Sequence, residues 1–167
     1  MSSRVQYVAT SANGKKVYAD TEDSHAATHL FDAPKLFEFV KELLQSVELE
    51  GDNVYLDKDM GRLVGTTDLI KTGPDDEIVY AKRLNRTNYT RFVKGCHAKP
   101  TSFVTVALVK RDENSYELWS AWAGRAAPQF PGDEYETPES RPFWRAHALV
   151  WGNQRVQPGT EMQEWPW

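Results

Sequence analysis

At 167 residues, with 40% hydrophobic and 26% charged side chains, the chain has the size and balance of one globular domain and not those of a disordered or fibrous protein. No apolar run approaches the roughly 18 to 20 residues that cross a bilayer, and the start Met1-Ser2-Ser3-Arg4-Val5-Gln6 lacks a signal-peptide stretch. Cys96 is alone, so the expectation is a cytoplasmic protein with no intrachain disulfide, no cysteine-built zinc cage and no membrane partner.

The net charge of −4 is unevenly spread. Residues 1–77 hold 8 basic against 15 acidic side chains, residues 78–111 hold 8 basic and none acidic, and residues 112–167 hold 4 against 9. A basic block attracts phosphate locally, while the negative total weakens indiscriminate adhesion to nucleic acid. The plainer explanation is a solvated face whose cations pair with the acidic flanks on folding.

In chain order, the polar opening to about Asp23 reads as a hairpin turning at Asn13-Gly14 or as a loosely held N-terminal arm. Ser24 to His29 suits a helical turn capped by Ser24. The clearest helix is Ala33 to Ser46, with Asp32 as its N-cap and Pro34 in the first turn, where a missing amide hydrogen costs little. Leu36, Phe37, Val40, Leu43, Leu44 and Val47 make its apolar stripe. Val54-Tyr55-Leu56 and Arg62-Leu63-Val64 read as two strands joined by a hairpin loop at residues 58–61. Ile78 to Arg83 reads as a strand entered by the turn Gly73-Pro74-Asp75-Asp76. Phe103 to Val109 and Tyr116 to Trp122 are rich in β-branched and aromatic residues on both faces and should be a central strand pair. A short helix is expected from about Pro142 to Val150, and the tryptophans of the tail should dock on the domain. The fold class expected is α+β: an N-terminal helical segment on a twisted, mainly antiparallel sheet. Residues 1–167 are expected to form one domain, with 125–167 as a loop-rich C-terminal extension packed on it.

Phosphate loops, dinucleotide glycine patterns and paired cysteine motifs are absent from the sequence. His25 and His29 stand at the i,i+4 spacing of metal ligands, but no third ligand is marked, so no metal or other cofactor is expected. The distinctive stretch is residues 79–94, where Lys82, Arg83, Arg86, Arg91 and Lys94 alternate with Tyr80, Tyr89 and Phe92 and with Asn85, a mixture suited to holding phosphates and stacking bases. Metal-independent RNA cleavage needs a base for the ribose 2'-hydroxyl, an acid for the leaving oxygen, and donors for the charge on phosphate. Histidine suits the first two roles. The candidates are His25, His29, His97 and His147, with His29 first because it immediately precedes the main helix. Thr105 and Ser120, the polar residues inside the central strands, have a plainer role in satisfying neighbouring backbone or cross-strand groups.

The order of a histidine-bearing segment, a helix, a strand running into Lys82-Arg83-Leu84-Asn85-Arg86 and Tyr89-Thr90-Arg91-Phe92, then a strand pair ending Ser120-Ala121-Trp122-Ala123-Gly124, resembles the RNase superfamily that groups barnase, EndoU, colicin RNases and RelE. The likeness covers about His25 to Gly124. It implies RNA lying across the sheet's concave face, with His29 as the helical-segment histidine, Lys82 and Arg86 meeting phosphate, and Thr90 and Ser120 supplying hydroxyls. Arg83, Asn85, Tyr89, Arg91 and Lys94 complete the substrate contacts. A second histidine like that of EndoU is not identifiable. The stretch from Phe143-Trp144 to Gly159 also resembles bacterial proteins of unassigned function and supplies no mechanism. The leading expectation is a metal-independent RNA endonuclease or a toxin-like relative, which would have a cognate inhibitor protein. Its rival is a non-catalytic module binding RNA, nucleotide or protein through residues 78–111.

Overall fold

The computed structural model describes residues 5–20 and 33–167. Ser24, His25, His29 and Asp32 therefore lie outside the described residues. Among those described, eleven strands stand against two helices. The chain separates into two compact units, residues 1–65 with 100–126 and residues 66–99 with 127–167.

The first unit holds a five-stranded sheet. The hairpin of β1 (Val5–Thr10) and β2 (Lys16–Asp20) turns where Gly14 has φ +81°. It joins β10 (Ser115–Ala123), β9 (Phe103–Asp112) and β3 (Asn53–Asp59) in the order β1-β2-β10-β9-β3, with β2 and β10 parallel and the other pairs antiparallel. Alternation places Val104, Val106 and Leu108 of β9 on one face with Tyr116 and Leu118 of β10. Helix α1 (Pro34–Ser46) adds Val40, Leu43 and Leu44 to that cluster, all fully buried. Its N-cap position is Ala33, without a side-chain cap bond, and Pro34 opens the first turn.

The second unit holds the order β5-β11-β7-β6, built from β5 (Leu69–Lys71), β6 (Glu77–Lys82), β7 (Tyr89–Lys94) and β11 (His147–Val150). Here β11 runs parallel to β7 and the other pairs are antiparallel. Residues 90–93 of β7 are buried in succession, so both faces of this strand are covered. Helix α2 (Ser140–Ala146) leads directly into β11. The remaining strands, β4 (Gly65–Thr67) and β8 (Lys99–Thr101), form a two-stranded sheet.

The helix-on-sheet expectation is thus corrected. The described residues are mostly β, with three sheets among them and a strand hairpin ahead of α1. Val54 to Asp59 does not fold back on residues 62–64. It pairs with β9, and Met60 and Val64 donate their backbone amides to Ser102 and Thr101. The helix expected to reach Val150 ends at Ala146, because His147 is already extended, with φ −135° and ψ 154°. The apolar run 148–150 serves a strand instead, an ambiguity that periodicity alone does not resolve in so short a segment. Among the described residues no helix is long and apolar enough to cross a membrane.

Candidate functional site

Seven of the eight cations of residues 78–111 meet three fates, and the eighth, Lys99, is exposed. Lys94, Lys110 and Arg111 have carboxylate partners in Glu77, Glu113 and Glu117. Lys94 also lies 5.3 Å from the Trp151 ring centroid. This is the solvated, paired arrangement that a basic block most often adopts.

Arg91 is only 8% exposed. Its Nε donates to Tyr80 Oη at 3.2 Å, and its Nη1 to Thr72 Oγ1 at 3.0 Å and to the His147 carbonyl at 2.8 Å. A buried guanidinium needs its donors met, and here neutral oxygens meet them while tying β6 and β11 to β7. Tyr80 is in turn capped edge-on by Trp165 and Trp167, at 6.0 and 5.4 Å between ring centroids. The tail tryptophans are therefore docked within this unit. Arg91 is a fastening of the sheet rather than a surface contact.

The remaining strand-end cations gather where β6 passes into β7. Lys82 Nζ sits 5.1 Å from the Tyr89 ring centroid. Arg83 is partly buried and donates through Nε to Thr90 Oγ1 at 2.9 Å and through Nη1 to Gln154 Oε1 at 3.2 Å. Burial, with the like charge of Arg86 adding to it, lowers the Arg83 guanidinium below its ordinary value. Arg86 is exposed, and its backbone amide closes the turn on the Arg83 carbonyl at 3.1 Å. Asn85, between the two arginines, has φ +64°, a left-handed conformation that asparagine tolerates better than most residues. Among the described residues no carboxylate lies within ion-pair distance of Lys82, Arg83 or Arg86.

The other expected site residues are dispersed. Thr90 is 1% exposed, and its hydroxyl oxygen accepts the Arg83 bond. Ser120 belongs to the first unit, opposite Ala107 beside the β-bulge that projects Trp119. Thr105 donates to the Gly124 carbonyl at 2.6 Å, the structural role expected of it. The ring of His147 stacks on Phe143 at 3.9 Å between centroids, and its Nδ1 lies 2.9 Å from the Phe143 carbonyl. His97 is exposed, and His29 lies outside the described residues.

Sequence reasoning passed over the segment that completes this tip. Residues 155–162 run beside the free edge of β6, with bridges Arg83 to Val156 and Tyr80 to Met162. Gln157 donates its side-chain amide to the carbonyls of Arg83 at 3.0 Å and Arg86 at 2.7 Å. The only local signal was the turn pair Pro158-Gly159, and nothing nearby in sequence marks a partner 71 to 74 residues away.

The chain matches no protein-family model, and comparison with curated proteins and with solved structures gives no match.

Proposed function

We propose that the chain is an RNA-binding module that contacts the phosphate backbone through the tip of the β6–β7 hairpin. The observation that carries this reading is the cluster of Lys82, Arg83 and Arg86 without a carboxylate partner among the described residues. Arg83 is held below its ordinary value first by burial and then by the like charge of Arg86, and a phosphate at the tip offsets that repulsion. The chain's net charge of −4 restricts attraction to the tip and disfavours general adhesion.

The test is fluorescence anisotropy of a labelled single-stranded RNA across a salt series. Each phosphate neutralised contributes about −0.7 to the slope of log K against log salt, so three cations give a slope near −2. Arg86→Ala should weaken binding and make the slope shallower by about 0.7. No binding at low salt would sink the proposal.

A second reading, metal-independent cleavage by 2'-hydroxyl attack, is favoured by the Arg83–Arg86 pair, since adjacent guanidiniums suit the charge that develops on phosphate. It requires His29 as the base. Incubation with mixed tRNA and rRNA in EDTA should then leave 2',3'-cyclic phosphate ends for the wild type and none for His29→Ala. Bound RNA that stays intact with both proteins leaves the binding module alone.

A further inference from the structure

We propose that Arg155 is a fourth phosphate-contacting residue of this tip and that Gln157 positions the turn that carries Arg83 and Arg86, an inference resting on the RNA-binding reading above. Residues 154–160 are tied to residues 82–86 by bonds to side chains and backbone alike. Gln154 Oε1 accepts from Arg83 Nη1 at 3.2 Å and so fixes where that guanidinium points. The Arg155 carbonyl accepts the Leu84 amide at 3.2 Å, which brings Arg155 beside the turn that Arg83 and Arg86 bracket. Its side chain is exposed, and among the described residues it has no carboxylate within ion-pair distance.

Gln157 closes the arrangement. Its backbone amide donates to the Lys82 carbonyl at 2.7 Å, and its carbonyl accepts from Thr160 Oγ1 at 2.7 Å. Thr160 Oγ1 itself accepts the Lys82 amide at 3.1 Å. One side-chain amide nitrogen has two hydrogens, and Gln157 spends them on the Arg83 and Arg86 carbonyls, fixing the span of the turn that separates the two cations. Those two oxygens carry partial negative charge, and engaged by the amide they are not presented to an approaching phosphate. Turn conformation and cation spacing are therefore set by a segment that supplies a cation of its own. Preorganisation of this kind reduces the ordering that binding would otherwise require.

The experiment uses the full chain and the same single-stranded RNA salt series, with amide hydrogen exchange at Leu84 and Arg86 as a second readout. Arg155→Ala should weaken binding and shallow the slope by about 0.7, while Arg155→Lys keeps the wild-type slope. Gln157→Ala should weaken binding by about three- to tenfold at an unchanged slope, because no charge is lost. Exchange at Leu84 and Arg86 should quicken in that variant, with an unaltered circular dichroism spectrum confirming the fold. A wild-type slope for Arg155→Ala, or wild-type affinity for Gln157→Ala, overturns the inference. If Arg86→Ala shallows the slope and Arg155→Ala does not, only this inference fails. If the wild-type chain does not bind RNA, the reading beneath it fails as well.

Discussion

The two units bury their sheets by different means. In the first, one continuous apolar cluster lies on one face of the five-stranded sheet, and ions stay at the surface as carboxylate pairs such as Glu42 with Arg62 and Asp57 with Arg125. In the second, the apolar residues form two small clusters, Ile70, Val93, Ala148 and Val150 in one, Val79, Ala81 and Phe92 in the other. The second sheet is therefore held by specific bonds as well as by area. Arg91 spans three acceptors, aromatic rings cap Tyr80, and the tail bonds to the β6 edge. Apolar burial tolerates small shifts in position, whereas a network of directed bonds does not. The unit with the exacting geometry is also the one that keeps Lys82, Arg83 and Arg86 at a fixed turn with no carboxylate partner among the described residues.

Removing area should have the largest effect in either unit. Phe92 is fully buried and meets Trp151 edge-on at 5.3 Å. Phe92→Ala is expected to cost about 3–5 kcal/mol, and Leu43→Ala in the first unit about 2–5 kcal/mol. Urea denaturation measures both, and a cost below about 1 kcal/mol at Phe92 would break the claim that its small cluster bears weight.

The next effect separates the units more sharply. Arg91→Lys retains the charge, but one ammonium on a flexible stem does not reproduce a planar fork reaching Tyr80, Thr72 and His147. The expected loss is about 1.5–3 kcal/mol, read by the same denaturation curve. Thr105→Val, which removes one neutral bond to Gly124 inside the apolar unit, should cost less, about 1–2 kcal/mol. If Arg91→Lys were the milder change, directed bonding would not distinguish the second unit.

The parts of this architecture that were legible in the sequence are those written locally. The stripe from Leu36 to Val47 gave the helix, and the β-branched runs at 103–109 and 116–122 gave the central strands. Partners remote in sequence were not legible. Val54 to Asp59 carries no mark that its neighbour is β9, and the parallel contacts of β2 with β10 and β7 with β11 join segments far apart in the chain. The candidate site divides in the same way. Lys82, Arg83 and Arg86 stood out as charge beside aromatic residues, and the hairpin keeps them together. Thr90 and Arg91 looked similar in sequence, but a strand covered on both faces turns them to internal bonds. Ser120 was drawn into the same list by order along the chain, yet it belongs to the other unit. Arg155 and Gln157 were missed because their partners lie across a strand edge and not along the chain.

The smallest expected effect is on acid stability, and it falls mainly on the first unit. Glu42 is held below its ordinary value by the hydrogen bond from Arg62, Asp59 by the backbone amide of Gly61, and Asp112 by that of Asn114. In the second unit, Glu136 is lowered by the Gly132 amide. Each group protonates more readily in the unfolded chain, near 4.5 for glutamate and 3.8 for aspartate, so the unfolded state takes up protons first as pH falls. The stabilisation is complete above those values and is lost as pH drops through the lower folded-state values. All four side chains are solvated, so the loss is shallow and shrinks with added salt. Melting temperature followed from neutral pH down through that window should decline gradually. Arg62→Gln should flatten the part due to Glu42, because the bond that lowers it is gone. An unchanged acid limb in Arg62→Gln would mean that the surface ion pairs of the first unit leave its stability to the apolar cluster alone.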